Sequence, residues 1–293
     1  MSHSTVFHRR PPLPPLASRD HVRDRRARNR HHEAADARSA RYTGRSMTEL
    51  PGFAVVVPMF NEQVGAERCV REILTVLATL SNRTALITVN DGSTDRTGDL
   101  LAGLSREYEA LDVVTHTVNR GYGAGLVTGG IRASARGFEY ALFMDSDLTN
   151  SPKDIPRFAA KMAEGIDVIK ATRYSLGGNV SGVPFYRWAI SAAGNALAGV
   201  LFRLPVRDCT NGFRAVKTSL LRQMHLTEPG FAIIVEELYW CRFLAKTYAE
   251  VPVTLTNRAM DQRPTSFVYR PSVFWRYLRF PLRAFVGRRP PAQ

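Results

Sequence analysis

The chain has 293 residues, of which 44% are hydrophobic, and this is enough for one or two domains with a buried core. Its net charge of +14 lies at the two ends: residues 1–46 contain 11 basic and 4 acidic residues, residues 258–293 contain 8 and 1, and the charges between them cancel. A nucleic-acid-binding domain is expected to carry its charge on the folded body, so the neutral body argues against that class and favours ends that contact an anionic membrane surface.

Cysteine usage and the two ends of the chain indicate the compartment. Cys69, Cys209 and Cys241 form no C-x-x-C pair, which predicts a reducing, cytoplasmic setting without disulfides or a zinc site. Residues 1–46 contain no apolar signal stretch, and their proline, arginine and histidine predict a disordered basic arm, with Met47 as an alternative start. The weakly polar stretch 188–202 falls short of the ~20 residues that span a bilayer.

Five apolar runs alternate with helical segments along the body of the chain. Strands are predicted at residues 53–57, 85–89, 111–118, 138–144 and 166–171, and helices at residues 68–80 and from the glycine-rich motif at 121–125 to about 136. This alternation predicts an α/β fold of βαβ units, with a mainly parallel central sheet and helices on both faces.

Two carboxylates, Asp145 and Asp147, follow the fourth strand, and Ser151-Pro152 then predicts the start of a helix. The acids therefore lie at the carboxyl edge of the sheet, where open α/β folds bind ligands. Two carboxylates at this spacing suit Mg²⁺ or Mn²⁺ shared with phosphate oxygens. A lone D-x-D is also consistent with simple capping by Asp147 or Asn150.

The sequence Gly121-Tyr-Gly123-Ala-Gly125 imitates a dinucleotide-binding fingerprint, because it opens a helix and an acid ends the next strand. Its third glycine comes one residue early, and two strand–helix units precede it. We therefore interpret it as a strand-to-helix turn and not as an NAD site.

Seven motifs occur in a fixed order: PMFNE (58–62), VNDGSTD (89–95), NRGYGAG (119–125), the D-x-D, ATRY (171–174), DCTNGFR (208–214) and EEL (236–238). Together they resemble glycosyltransferase family 2 with the GT-A fold, and more narrowly the polyprenyl-phosphate sugar synthases of the dolichol-phosphate mannose synthase type. The resemblance covers residues 52–266. It implies a glycosyltransferase domain at 47–266 that is followed by a separate C-terminal segment at 267–293.

The resemblance also implies a role for each motif. The nucleotide base and ribose would be lined by Pro58, Phe60, Glu62 and Asp91. The donor diphosphate would be held by a metal on Asp145 and Asp147, and by Arg258. The acceptor phosphate would be met by Arg173, Arg187 and Ser191. Asp208 and residues 211–214 would lie beside the sugar pocket, and the catalytic residues would be Asp147, Arg173 and Asp208.

Three positions depart from the family pattern. Thr149 replaces a glutamine near the metal, so a hydroxyl or a water must replace that ligand. Asn90 replaces the first acid of the usual D-D-G-S, and an amide can still bond a base. Phe267 takes the place of a late lysine, so Arg263 or Arg270 must supply its charge.

The resemblance implies metal-dependent, inverting transfer of a sugar from a nucleotide donor to a polyprenyl phosphate, by a peripheral protein at the inner face of a membrane. A phosphate acceptor needs cations to hold it, whereas a hydroxyl acceptor needs a general base. The alternative is therefore a family 2 enzyme that acts on a hydroxyl, with Glu236, Glu237 or Asp208 as base. These acids also have structural interpretations: Glu236 or Glu237 could be a solvated helix edge, and Asp208 could cap or pair with Arg207. For the whole protein, the alternative from another class is a basic nucleic-acid-binding protein.

The C-terminal segment is amphipathic. At ~100° per residue one stripe carries Arg276, Arg279 and Arg283, and the other side carries Phe274, Trp275, Leu278, Leu282 and Phe285. This pattern predicts a helix in the membrane interface, or alternatively a helix docked on the body. Proline at position 281 predicts two short segments. The isolated His116 and His225 are interpreted as structural.

Overall fold

The computed structural model describes residues 50–180, 185–256 and 271–291, without the side chains of Phe185, Arg187, Pro271 and Ser272. The basic arm predicted at 1–46 lies outside the described residues. The same holds for the late basic positions, namely Arg258, Arg263 and Arg270, and for Ser266 and Phe267.

The strands are β1 (Phe53–Met59), β2 (Thr84–Asp91), β3 (Leu111–His116), β4 (Tyr140–Phe143), β5 (Val168–Thr172), β6 (Asn179–Val180), β7 (Arg214–Lys217), β8 (Tyr248–Pro252) and β9 (Thr254–Leu255). In the described ranges seven of them form one sheet in the order β3-β2-β1-β4-β7-β5-β8, and β6 pairs with β9. Strands β1 to β4 are parallel, and β5 is parallel to β8. The mainly parallel sheet is therefore confirmed. Strand β7, which no sequence pattern predicted, runs antiparallel between β4 and β5.

The helices are α1 (Ala66–Leu77), α2 (Thr97–Glu107), α3 (Tyr122–Ala135), α4 (Ile155–Ala163), α5 (Phe185–Phe202), α6 (Thr218–Leu221), α7 (Ile233–Leu244) and α8 (Pro271–Phe285). A 3-10 turn, Pro152–Asp154, leads into α4, and the predicted cap Ser151 accepts a hydrogen bond from the Lys153 N–H at 3.3 Å. Among the described helices, none has the length and apolarity needed to cross a membrane.

Helices cover both faces of the sheet because its central strands are buried on both sides. In β1, Val55 and Val57 pack in one apolar cluster with α1, α2 and α4, while Val56 packs in a second cluster with α3 and α7. Successive side chains of a strand point to opposite faces, so a continuous apolar run is what such a strand requires. The carboxyl ends of β1, β2 and β4 consequently share one edge.

The C-terminal helix α8 is docked on the body and is continuous through Pro281, so the predicted division into two segments is wrong. Phe280 and Ala284 are buried in a cluster with side chains of α5 and α7. Beyond the helix, the Arg288 carbonyl accepts a hydrogen bond from the Tyr239 hydroxyl at 2.8 Å. These contacts fix the inner face of the helix and leave its other face exposed.

Candidate active site

The loops that follow β1 and β2 are joined by hydrogen bonds. The Glu62 N–H donates to Thr97 Oγ1 at 2.8 Å, and the Asn61 N–H donates to Ser93 Oγ at 3.0 Å. In return, Asn61 Oδ1 accepts from the Thr94 N–H at 2.8 Å. These bonds therefore hold the segment that contains Pro58, Phe60 and Glu62 at the carboxyl edge of the sheet. Their nucleotide-binding role stays a prediction.

Asp91 is buried at the end of β2 and holds the glycine-rich turn. One of its oxygens, Oδ1, lies 2.6 Å from His116 Nδ1 and accepts from the Arg120 N–H at 2.9 Å. The other accepts from the Gly121 N–H at 2.8 Å. His116 is thus structural, as predicted, although it is paired and not isolated. Any contact of Asp91 with a nucleotide would come in addition to these bonds.

Each acid of the D-x-D has a partner that orients it. Asp145 Oδ1 accepts a hydrogen bond of 2.8 Å from the hydroxyl of Tyr122, at the start of α3. Asp147 Oδ1 accepts from both the N–H and the hydroxyl of Thr149, at 3.0 and 2.8 Å. Leu148 between them has a φ of 56°, a conformation that turns the chain sharply. In this structure the Thr149 hydroxyl orients an acid, a different task from the ligand that the sequence led us to expect there.

The donor set fits a divalent ion shared with a substrate. In the described part of the chain no group of three or more histidine, cysteine, aspartate or glutamate side chains could hold a metal by itself. Mg²⁺ is commonly bound by one or two carboxylates together with waters and substrate phosphate. Gly212 also leaves room beside the acids, because a carbon at its Cβ position would lie 2.9 Å from Asp145 Oδ2.

Arg173 and Asp208 form a two-point ion pair. Arg173 Nε donates to Asp208 Oδ2 at 2.7 Å, and Nη2 donates to Oδ1 at 2.8 Å and to Thr210 Oγ1 at 3.0 Å. Burial disfavours the charged carboxylate, but the bonds from Arg173 outweigh this and keep the pKa of Asp208 below its ordinary value. Asp208 therefore pairs with Arg173 and not with Arg207, and it is placed to orient Arg173.

Helix α5 joins this cluster through its polar inner side. The Tyr174 hydroxyl donates to Ser191 Oγ at 2.8 Å. Asn195 Nδ2 donates to Thr210 Oγ1 at 3.1 Å and to the Ser191 carbonyl at 2.9 Å. The predicted acceptor residues Arg173 and Ser191 are thus joined through Thr210 and Asn195. The side chain of Arg187, predicted with them, lies outside the described residues.

Two fully buried cations, Lys170 and Arg214, hold the loop at 208–214 by hydrogen bonds to its backbone carbonyls. Lys170 Nζ donates to the Asn211 carbonyl at 2.7 Å, and Arg214 Nη1 donates to the Gly212 carbonyl at 2.8 Å. Burial, and next the charge of Arg214, lower the pKa of Lys170 to about 8. Arg214 also pairs through Nε and Nη2 with Glu237, at 2.6 and 2.8 Å. The loop beside the acids is consequently held in place before any ligand binds.

The interpretation of Glu236 or Glu237 as a solvated edge is wrong, because both are buried. Glu237 forms the ion pair with Arg214. Glu236 accepts hydrogen bonds from the N–H groups of Thr227 and Glu228, at 2.9 and 2.8 Å. Burial raises the pKa of Glu236 above its ordinary value. Both carboxylates therefore hold other parts of the fold together.

Sequence reasoning missed the side chains that support the predicted site. The sequence places Tyr122 in a strand-to-helix turn and Asn195 within the weakly polar stretch 188–202, and neither position indicates a role at the site. Lys170 did carry a signal, because it is the one charged residue in the buried run VIKAT. A buried charge inside a strand is rare without a specific partner.

A family model described as "Glycosyl transferase family 2" matches residues 54–225. Among curated relatives, the dolichol-phosphate mannosyltransferase of Pyrococcus furiosus is 30% identical over 71% of this chain and 58% of its own length. The polyprenol monophosphomannose synthase of Mycolicibacterium smegmatis is 25% identical over 70% of this chain and 78% of its own. The chain thus spans less than two thirds of the Pyrococcus protein.

Among solved structures, the glucosyl-3-phosphoglycerate synthase of Mycobacterium tuberculosis, in complex with Mn²⁺, UDP and glucosyl-3-phosphoglycerate, matches with a TM-score of 0.56. The match covers 85% of this chain and 86% of that one at 21% identity. At this identity the likeness shows the fold alone, which is the GT-A fold.

Proposed function

Because the chain belongs to glycosyl transferase family 2 and is a nucleotide-sugar glycosyltransferase, we propose that it transfers the sugar to a polyprenyl phosphate. The names of its relatives support this acceptor: a dolichol-phosphate mannosyltransferase, a polyprenol monophosphomannose synthase, and an undecaprenyl-phosphate mannosyltransferase of Micrococcus luteus. The donor side and the acceptor side of the site are supported by different residues.

The placement of three carboxylates is the observation that carries this proposal. A hydroxyl acceptor would need a general base, and the residues offered for that role are Glu236, Glu237 and Asp208. Each is buried and hydrogen-bonded to another part of the fold. A phosphate acceptor is ionised at neutral pH and needs a cation that grips it, as the planar fork of an arginine does.

On the acceptor side, Arg173 is the proposed phosphate-binding arginine whose side chain the structure describes. Ser191 is joined to it through Thr210 and Asn195. Asp208 holds the guanidinium by Nε and Nη2, so the charged side chain is oriented before the acceptor arrives. Preorganised charge of this kind stabilises a bound anion without further rearrangement. Arg187 completes the proposed set from its position in the sequence.

On the donor side, Asp145 and Asp147 would hold Mg²⁺ or Mn²⁺ against the diphosphate. Such an ion acts as a Lewis acid that stabilises charge on the leaving group. Tyr122 and Thr149 orient the two acids, while Pro58, Phe60, Glu62 and Asp91 lie at the same edge for the nucleotide. Arg258 is proposed for the diphosphate. Direct displacement by the acceptor phosphate would invert the anomeric centre.

The exposed apolar surface of two helices supports action at the inner face of a membrane. Helix α5 exposes Tyr186, Ile190, Leu197 and Val200, which at helical spacing form one stripe. On α8, Phe274 and Trp275 are also exposed. An apolar stripe near arginines is typical of a helix that lies in the interface plane of a bilayer.

The test incubates the protein with labelled GDP-mannose or UDP-glucose, Mg²⁺ or Mn²⁺, and a polyprenyl phosphate, followed by extraction into organic solvent. Label in the organic phase, with the opposite anomeric configuration to the donor, is the expected result. Chelator should abolish it. Transfer only to free glycan hydroxyls, with no lipid-linked product, would contradict the proposal.

A further inference from the structure

Asp145 is confined between a tyrosine and a loop. The Tyr122 hydroxyl donates to its Oδ1 at 2.8 Å. On the other side, a carbon at the Cβ position of Gly212 would lie 2.9 Å from Oδ2 and 3.2 Å from the Tyr122 hydroxyl. The loop at Gly212 thus passes close to the carboxylate without filling the space beside it, and the hydrogen bond from Tyr122 is what orients Asp145.

Tyr122 is itself fixed by the loop at residues 228–231. Its ring packs against that of Phe231, with centroids 4.5 Å apart. Gly123, the residue after Tyr122, donates its backbone N–H to the Pro229 carbonyl at 2.8 Å. Gly123 can approach so closely only because it lacks a side chain, since the Glu228 carbonyl occupies the space of a Cβ.

The same loop is held by helices α7 and α8. Glu228 is buried, and its carboxylate pairs with Arg279 of α8. Its backbone N–H donates to Glu236 Oε2, in α7, at 2.8 Å. A contiguous set of contacts therefore runs from α8 through Glu228 and Phe231 to Tyr122, and from there to Asp145.

We propose that Tyr122 is a positioning residue for Asp145 as a metal ligand, and that helix α8 keeps Tyr122 in place through the Arg279–Glu228 pair. The inference rests on the metal role given to Asp145 in the proposed function. Partners that hydrogen-bond a ligating carboxylate fix its orientation, and their loss commonly costs about 10–100-fold in metal affinity. The C-terminal helix is then a support of the donor site as well as an exposed surface.

The variant Tyr122→Phe separates positioning from packing, because phenylalanine keeps the ring that contacts Phe231 and loses only the hydroxyl. Tyr248→Phe is the matched control: it removes one tyrosine hydroxyl that donates to the Cys241 carbonyl at 2.7 Å, away from the acids. Arg279→Gln tests the contribution of α8 while both Tyr122 and Asp145 stay intact.

The experiment measures Mn²⁺ binding to the full chain by the electron paramagnetic resonance of free Mn²⁺, alone and with GDP or UDP. Tyr122→Phe should weaken binding about 10–100-fold, Arg279→Gln should weaken it less, and Tyr248→Phe should not change it. Thermal unfolding checks the fold of each variant. Unchanged Mn²⁺ binding by a folded Tyr122→Phe variant overturns the inference. If Tyr122→Phe does not fold, Arg279→Gln is the deciding variant, and unchanged Mn²⁺ binding by it overturns the inference.

Asp145→Asn distinguishes the failure of this inference from that of the proposed function. If Asp145→Asn removes Mn²⁺ binding while Tyr122→Phe binds normally, the positioning role alone is wrong. If Asp145→Asn itself binds Mn²⁺ as tightly as the unaltered chain, the metal role of Asp145 is wrong, and the inference that depends on it is overturned as well.

Discussion

Arg173 and Asp208 are joined by two hydrogen bonds, Nε to Oδ2 at 2.7 Å and Nη2 to Oδ1 at 2.8 Å, and the aspartate side chain is fully buried while the arginine remains 15% exposed. Of the two, the partly exposed Arg173 is the one open to a ligand in this structure. Asp208 is therefore placed to orient Arg173. The catalytic role that the motif suggests for Asp208 stays a prediction.

Arg173→Ala should reduce transfer to a polyprenyl phosphate while the affinity for the nucleotide stays the same. Hydrogen bonds to a charged group are worth about 1.5–3 kcal/mol, which corresponds to roughly 10–100-fold in rate. Arg173→Lys should restore little, because an ammonium cannot bond both Asp208 oxygens as the planar guanidinium does, and its charge would not be held in the same place. Transfer kinetics and calorimetry with nucleotide measure the two effects.

The control is Arg132→Ala, which removes an exposed arginine that pairs with Asp112 at 2.7 Å on the surface. Surface pairs contribute about 0–1 kcal/mol, so this variant should be nearly normal in both assays. A loss of nucleotide affinity in Arg173→Ala, without a loss of acceptor use, would assign Arg173 to the donor side.

Gly212→Ala should weaken metal binding and activity with little loss of stability. The added carbon would lie 2.9 Å from Asp145 Oδ2, and the atom that must yield is the end of a side chain, so the backbone can remain in place. Because that atom belongs to the proposed metal ligand, its displacement acts on the site. Mn²⁺ affinity and thermal unfolding would be measured together.

Gly103→Ala provides the comparison, since a Cβ at Gly103 meets nothing within 4 Å on the surface of α2. Alanine in a helix is favoured over glycine by about 0.5–1 kcal/mol, so this variant should be slightly more stable and fully active. If Gly212→Ala retained normal Mn²⁺ affinity, the close approach of the loop to Asp145 would have no functional consequence.

Lys170 should make the free energy of unfolding depend on pH. Its pKa falls from 10.5 to about 8 in the folded protein, chiefly through burial, so the unfolded chain binds more protons between these values. Stability contributed by this group therefore rises from about pH 8 to pH 10.5. At ~1.4 kcal/mol per pKa unit, the rise is on the order of 3 kcal/mol.

Denaturant unfolding of the protein and of Lys170→Met would be compared from pH 7 to pH 11. The difference isolates Lys170, because cysteines and tyrosines that titrate in this range are common to both proteins. As the pH rises, the free energy of unfolding of the unaltered protein should increase relative to that of Lys170→Met. A constant difference would show that the Lys170 amine titrates normally in the folded state.

The strands and the site edge could be predicted from the sequence because their signals are local. Residues 140–144, directly before Asp145, are all apolar, as a strand buried on both faces must be, and β4 lies within them. Parallel strands then bring the ends of β1, β2 and β4 together without further information. The topology accounts for this common edge, whereas the nucleotide roles proposed there come from the resemblance of the motifs to the family.

The supports of the site could not be predicted because their partners are distant in the chain. Arg214 and Glu237 are 23 residues apart, and neither shows by its neighbours that the two meet in the core. The helix that carries Glu237 is buried on all sides from Ile233 to Cys241. Its sequence therefore shows no polar face against which a buried acid would stand out. Likewise, the docking of α8 depends on α5 and α7, which its own periodicity does not reveal.

The exposed faces of α5 and α8 should bind anionic vesicles independently of the catalytic site. Trp275 on α8 is 62% exposed and Ile190 on α5 is 57% exposed, whereas Phe280 on the inner face of α8 is buried. Removing the whole helix would uncover Phe280 and disturb the body, so substitutions on the outer face are the sharper test. Burial of such a side chain is worth about 1.5–3 kcal/mol.

The double substitution Trp275→Ser with Ile190→Ser should therefore reduce vesicle binding about tenfold or more, and higher salt should weaken the remainder by shortening the Debye length. Transfer to a short, water-soluble prenyl phosphate should continue, while transfer to a long-chain lipid in vesicles should fall. Ile131→Ser, at a residue of α3 that is 65% exposed, is the control. Each protein should begin at Met47, so that the basic arm cannot mask the effect. Equal flotation of the double variant and the unaltered protein would contradict a membrane role for this surface.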